Sequence, residues 1–153
     1  MVGRTFTNPF SGERIEIISS TPDLLVFELF LPPGKSVPAR HVHPQQEERF
    51  TVFEGELRFS IGRHTLSARA GDTITVNRGA PHWFGNRGAI PARVRVEVQP
   101  ALRMEELLET TQALSRTNVA ELARLLLDFH QELAVPFVPQ RVVTTLLAPF
   151  RRR

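Results

Sequence analysis

Two histidines, His41 and His43, stand one residue apart, and two adjacent glutamates, Glu47 and Glu48, follow within five positions. On an extended chain an i, i+2 pair projects both imidazoles to one face, so a cation placed there meets two nitrogen ligands at once. Glu48 begins a strand-like run, and Pro44 to Glu47 are left to turn the chain, so its carboxylate can return to the same point. Glu47 would face the opposite side if the strand has already begun there. Glu48 is therefore the preferred ligand and Glu47 the alternative. A third imidazole, His82, comes much later in GAPHWFGN, where Pro81 stiffens the approach. Three imidazoles and one carboxylate suit one divalent transition metal per chain, Fe, Mn, Ni, Cu or Zn, and suit Ca or Mg poorly. The 153 residues include no cysteine, so a thiolate site and a disulfide framework are both excluded.

Such ligands need rigid elements to hold them. Up to about residue 99 the chain reads as short β-rich runs punctuated by Gly, Pro and Asn. Strands are predicted near Arg14 to Ser19, Leu24 to Leu31, Val37 to His43, Glu47 to Phe53, Leu57 to Ile61, His64 to Ala68, Thr73 to Val76, His82 to Asn86 and Arg93 to Val98. This pattern indicates a sandwich or small barrel. LRFSI and VRVEV alternate, with Arg58, Ser60, Arg93, Arg95 and Glu97 on the polar face. LLVFELFL is apolar at both parities except at Glu28, which predicts cover on its outer side as well. From Pro100 the period lengthens. One helix is predicted over Met104 to Leu114 and a second over Val119 to Leu133, opened by Asn118 with Glu121 three residues later; a shorter one is predicted over Val142 to Leu147. The organisation is thus a barrel over residues 1–100 and a helical extension over 101–153, packed on the barrel or on a partner subunit. About fifty residues would make a poor core alone.

The spacing resembles the two motifs of the cupin superfamily. The first appears as Gly34, His41-Val42-His43, four residues, Glu48, six residues and Gly55; the second as Gly71, Asn77-Arg78-Gly79, His82 and Asn86. Six residues rather than the usual five separate Gly34 from His41, and Asn77 stands where the family has proline; neither departure touches a ligand. NPFSGERIEI and PALRMEELLETTQAL look like single-domain cupins of the conserved-barrel type with a C-terminal helical extension. The resemblance implies a mainly β fold, a double-stranded β-helix or jelly-roll barrel with two or three C-terminal helices, holding a metal inside its mouth on His41, His43, Glu48 and His82.

Phe50, Val52, Trp83 and Phe84 are candidates for the pocket wall, with plain core packing as the alternative. Glu28 could hold a ligand histidine's ring N–H, but an edge ion pair is the preferred reading. His64 at a turn is expected to be exposed, His130 to pack on the apolar stripe of its helix, and Asp72 to stabilise its turn. Two function classes remain. One is a metal-dependent enzyme, oxygenase-like or isomerase-like, acting on a small organic molecule; no general acid or base can be named. The other is a non-catalytic sensing module that binds a small molecule beside the metal. The enzyme is preferred, because no DNA-binding motif accompanies the barrel.

The net charge is +3, and Lys35 is the sole lysine among 19 basic residues. The arginines are scattered apart from Arg151 to Arg153, which speaks for a solvated surface and against a nucleic-acid partner. The N-terminus has no apolar leader, and DLLVFELFL is too short to span a bilayer. A cytoplasmic protein with no membrane partner is expected. The two-sided apolar strand and the apolar helix stripe favour a homodimer.

Overall fold

Period-two alternation over the first hundred residues builds two antiparallel sheets. The computed structural model describes residues 2–8, 12–37, 39–111, 114 and 118–136. Its strands are β1 (Thr5–Thr7), β2 (Arg14–Ser20), β3 (Leu25–Leu31), β4 (Glu47–Glu54), β5 (Glu56–Ile61), β6 (His64–Arg69), β7 (Thr73–Val76), β8 (His82–Gly85) and β9 (Ala92–Gln99). Six form one sheet in the order β1-β2-β3-β9-β4-β7, and three form the other in the order β6-β5-β8. The fold is the double-stranded β-helix that the family resemblance implies.

The inward faces meet as one core. Leu25, Phe27, Leu29 and Leu31 of β3 lie beside Val94, Val96 and Val98 of β9, all buried. Phe50 of β4 reaches across to Phe59 of β5 and Phe84 of β8, with ring centroids 5.1 Å away in each case, so an aromatic cluster joins the two sheets.

Two strand predictions need correcting. β1 is absent from the sequence reading, because three residues give too short a pattern to register. Conversely, the described residues of the strand predicted over Val37 to His43 make isolated bridges rather than a ladder. Ser36, His41 and Val42 make isolated bridges to Gly85, His82 and Ala134. The segment changes partner between His41 and Val42, so no ladder can propagate.

Arginines cover the outer-face aromatic rings of β3 and β4. Arg14 lies 3.8 Å over the Phe30 ring, and Arg93 and Arg95 lie over Phe53. The guanidinium groups themselves lie over these rings, so cation–π contacts cover the aromatic outer positions. Arg93 and Arg95 also pair with Glu28, at 2.9 and 3.5 Å. Glu28 is thus an outer-face ion pair rather than a support for a ligand.

Helix α1 (Met104–Thr111) and helix α2 (Val119–Asp128) follow the barrel. Asn118 caps α2 by accepting the Glu121 N–H at 3.1 Å. Met104, Leu107, Leu125 and Phe129 join the same buried cluster as the barrel residues, so the extension packs on its own barrel. α2 stops earlier than its apolar stripe suggests. After Phe129 the chain turns, and Ala134 exchanges both backbone hydrogen bonds with Val42, at 2.8 and 2.9 Å. His130 is consequently exposed beyond the helix rather than packed on its stripe. The helix predicted over Val142 to Leu147 lies outside the described residues.

Gly55 is the corner where the chain leaves the six-stranded sheet for the three-stranded one. Its φ is +75°, and a Cβ there would lie 2.7 Å from the Pro91 carbonyl oxygen. Backbone cannot retreat as a flexible side chain can, so conformational strain and a clash add. Gly55→Ala is expected to cost on the order of 2 kcal/mol or more in denaturant unfolding. An unchanged unfolding midpoint would show that the corner relaxes freely.

Candidate metal centre

The three histidines reach one place because their backbones are tied together. His41 and His82 exchange backbone hydrogen bonds at 3.0 and 2.9 Å, and the Gly79 N–H donates to the His43 carbonyl at 2.9 Å. One ring nitrogen from each of His41, His43 and His82 can be chosen so that all lie within 4.8 Å of one another. Glu48 enters from β4 on the inward face shared with Phe50 and Val52, whereas Glu47 points to the other face and is partly exposed. One carboxylate oxygen, Oε2, lies 3.3 Å from His43 Nε2 and 3.1 Å from His82 Nε2.

Hydrogen bonding on the far side of each ring decides what those nitrogens present. Nδ1 of His41 lies 2.9 Å from the Ala39 carbonyl, Nδ1 of His82 2.9 Å from the Ala80 carbonyl, and Nδ1 of His43 2.5 Å from the Glu132 carbonyl. A carbonyl only accepts, so each neutral ring carries its proton on Nδ1 and leaves a lone pair on Nε2. Lone pairs on His43 and His82 then face a carboxylate oxygen. Acceptors converge this way around a cation, and a ligand histidine is normally held through its other nitrogen in this manner. The residues present therefore fit a divalent transition metal.

Burial and charge act on the same groups. Burial, then the charges of His43 and His82, lower His41 to about 3. For Glu48 burial is the largest influence and pulls upward, but His43 and His82 outweigh it and hold the carboxyl well below its usual range. For His43 burial pulls downward most strongly, yet the charge and hydrogen bond of Glu48, with the Glu132 carbonyl, leave it raised.

Beside this cluster is a cavity of about 290 Å³, lined by His41, His43 and Glu48 among mainly apolar side chains. Phe27, Leu29, Phe50, Phe84 and Val96 supply its barrel wall; Leu107, Leu108, Leu125, Leu126 and Leu133 roof it from the extension. Of the candidates for a pocket wall, Phe50 and Phe84 line this cavity, whereas Val52, Trp83 and Glu28 do not. Val52 is buried in the core. Trp83 follows His82 on β8 and so faces the opposite side of its sheet, where its Nε1–H donates to the Val37 carbonyl and Arg87 lies 5.3 Å from the ring.

Several participants escape the sequence reading. Glu13, buried, and Asn8 add polar atoms to the cavity wall. Gln46, in the turn between His43 and Glu48, donates to the Pro100 and Ala101 carbonyls at 3.0 and 2.8 Å. Only the position of Gln46 inside the ligand motif signals a role. Glu132 has no signal at all, since it serves His43 through its backbone. The motif residue Asn86 holds a loop: its amide donates to the Leu31 and Ile90 carbonyls at 3.0 and 2.8 Å.

A family model described as a cupin domain matches residues 27–98, from β3 to β9 with all four candidate ligands inside. Those residues form a cupin domain. The polyketide synthase protein TcmJ of Streptomyces glaucescens, named for tetracenomycin, is 32% identical over 77 residues, covering 50% of this chain and 51% of its own. The chain thus spans about half the length of that curated relative. An uncharacterized conserved protein with a double-stranded β-helix domain from Klebsiella pneumoniae is 28% identical with a TM-score of 0.54, over 62% of this chain and 84% of its own. A protein of Silicibacter pomeroyi described as a sugar phosphate isomerase from a cupin superfamily is 26% identical with a TM-score of 0.52, over 59% and 60%.

The His41 shift has a definite sign. Between about pH 6.5 and pH 3 the unfolded chain takes a proton that the folded metal-free protein refuses, so this group withdraws stability as pH falls through that window and contributes no such penalty above it. His41→Gln removes the penalty. Calorimetry of the metal-free proteins should show the melting-temperature difference moving in favour of the variant between pH 7 and pH 4; a constant difference would mean that the His41 ring protonates as readily as in the unfolded chain.

Proposed function

We propose that this cupin is a metal-dependent enzyme acting on a small, mainly apolar carbonyl or phenolic compound, with the metal held by His41, His43, Glu48 and His82. The observation that carries the reading is the convergence of three imidazoles and a buried carboxylate beside an apolar cavity. A divalent transition metal there would supply Lewis acidity towards a substrate oxygen and, as iron, redox chemistry with O₂. The chain's own residues do the rest. Apolar walls exclude water and select an apolar body, Glu13 and Asn8 offer hydrogen-bonding atoms to a substrate hydroxyl, and the Nδ1 contacts keep the three rings aimed inward.

The cavity is small, near the lower end of the range of about 300 to 1,000 Å³ typical of ligand pockets. Among its described lining residues there is no Lys or Arg to receive a phosphate. This favours a polyketide-like carbonyl or phenol, the class suggested by the name of the Streptomyces relative, over the sugar phosphate named for the Silicibacter protein. Oxygenase-like chemistry, or isomerisation through an enolised carbonyl, is compatible with such a ligand. The second reading, a sensor that captures the same class of compound without turning it over, uses the same centre.

Metal analysis of protein purified without an affinity tag and reconstituted anaerobically is expected to find close to one transition metal per chain, lost in His82→Ala. The metal-loaded protein should then bind small phenols or 1,3-diketones in preference to sugar phosphates, and convert at least one of them with or without O₂ uptake. Absence of metal after reconstitution overturns the centre; ligand binding without conversion across the panel selects the sensor.

A further inference from the structure

The ligand loop over residues 41–48 is tied to the C-terminal extension at three places. The Val42 backbone exchanges hydrogen bonds with Ala134 at 2.8 and 2.9 Å. The Gln46 amide donates to the Pro100 and Ala101 carbonyls just before α1. Nδ1–H of His43 donates to the Glu132 carbonyl at 2.5 Å. The third contact differs in kind from those of the other two ligands. His41 and His82 donate to carbonyls two residues before themselves, so their ring orientation is a local matter. The carbonyl that orients His43 comes from 89 residues away.

What holds that carbonyl in place is the side chain of the same residue. Glu132 is 2% exposed, and its Oε1 accepts the backbone N–H of Arg103 at 3.0 Å, immediately before α1. Arg103 in turn spans the two helices: its guanidinium donates to Glu106 of α1 and to the Asp128 carbonyl at the end of α2, and lies 4.5 Å over the Phe129 ring. The Glu132 side chain pins the turn to the start of α1 while its main chain pins His43. One residue joins the fold of the extension to the aim of a metal ligand.

We propose that Glu132 is a positioning residue for His43, and that the C-terminal extension is thereby a working part of the metal centre rather than a cover alone. The family model ends at residue 98, so this support lies outside the matched cupin domain. The inference rests on the metal reading given above. A ligand imidazole that loses its orienting partner typically binds metal about 10 to 100 times more weakly.

The test is Co(II) titration of the full-length metal-free protein, reading the d–d absorption band and the dissociation constant for wild type, Glu132→Ala and Glu132→Gln. Glu132→Ala is expected to bind Co(II) about 10-fold or more weakly with an altered band. Glu132→Gln keeps an oxygen that accepts the Arg103 N–H and should restore both to near the wild-type values. Histidine ring NMR of the metal-free proteins should show the His43 Nδ1–H exchanging faster in Glu132→Ala, with His41 and His82 unchanged. If Glu132→Ala fails to fold, Glu132→Asp, which withdraws the carboxylate by one methylene, carries the same expectation. Wild type that binds Co(II) beside an alanine or aspartate variant of equal affinity overturns this inference alone; wild type that takes up no Co(II) overturns the metal reading and this inference with it.

Discussion

Glu48 is a carboxylate buried near the start of β4, on the inward face it shares with Phe50 and Val52, and much of the molecule is arranged around that fact. A buried charge is tolerated only when opposite charge and hydrogen bonds face it. Here the facing groups are Nε2 of His43 and His82, at 3.3 and 3.1 Å. Their other nitrogens already donate to carbonyls, so Glu48 can be satisfied by protons on the imidazoles or by a cation among them. The first solution keeps a polar pocket; the second makes a reactive centre. The barrel supplies what either requires, two backbone segments locked together at His41 and His82 and a strand that projects Glu48 inward.

The convergence of the three histidines and Glu48 was legible in the sequence because it depends on local geometry. An i, i+2 pair keeps both rings on one face even where the chain is merely extended, so isolated bridges in place of a ladder did not scatter the histidines. Strand parity likewise separated Glu48 from Glu47. Features that depend on which element lies opposite were less readable. Val52 has the parity of Glu48 but is buried in the core away from the cavity, and Trp83 beside His82 necessarily faces the other side of its sheet. The glycine corner at Gly55 was visible as a residue, but its reason, the Pro91 carbonyl 2.7 Å from where a Cβ would stand, is a contact between distant segments.

The both-sided apolar character of β3 illustrates the same limit. It implied a cover, and a helix or a second subunit was the natural candidate. The structure instead lays the Arg14 guanidinium over Phe30 of β3 and those of Arg93 and Arg95 over Phe53 of β4. Individually such exposed cation–π contacts contribute only about 0.5 to 1 kcal/mol. Their effect here is geometric: they shield aromatic surface without adding another layer. The heavy use of arginine, with its broad planar head, suits that role better than lysine. The helices are thus left to close the opposite side, where the cavity is.

That division of labour bears on how far likeness to other cupins reaches. The family match covers residues 27–98 and includes every candidate metal ligand. Yet ten of the 23 described residues lining the cavity, from Met104 to Val135, belong to the extension. A candidate metal centre within the matched cupin domain can therefore sit beside a cavity whose shape is set in part by the extension. Two proteins alike within the barrel can share a ligand set and still take different molecules, one admitting a phosphate and another an apolar ring. On the proposed reading, the apolar roof contributed by α1, α2 and the turn after them, more than the four candidate ligands, narrows what the cavity admits.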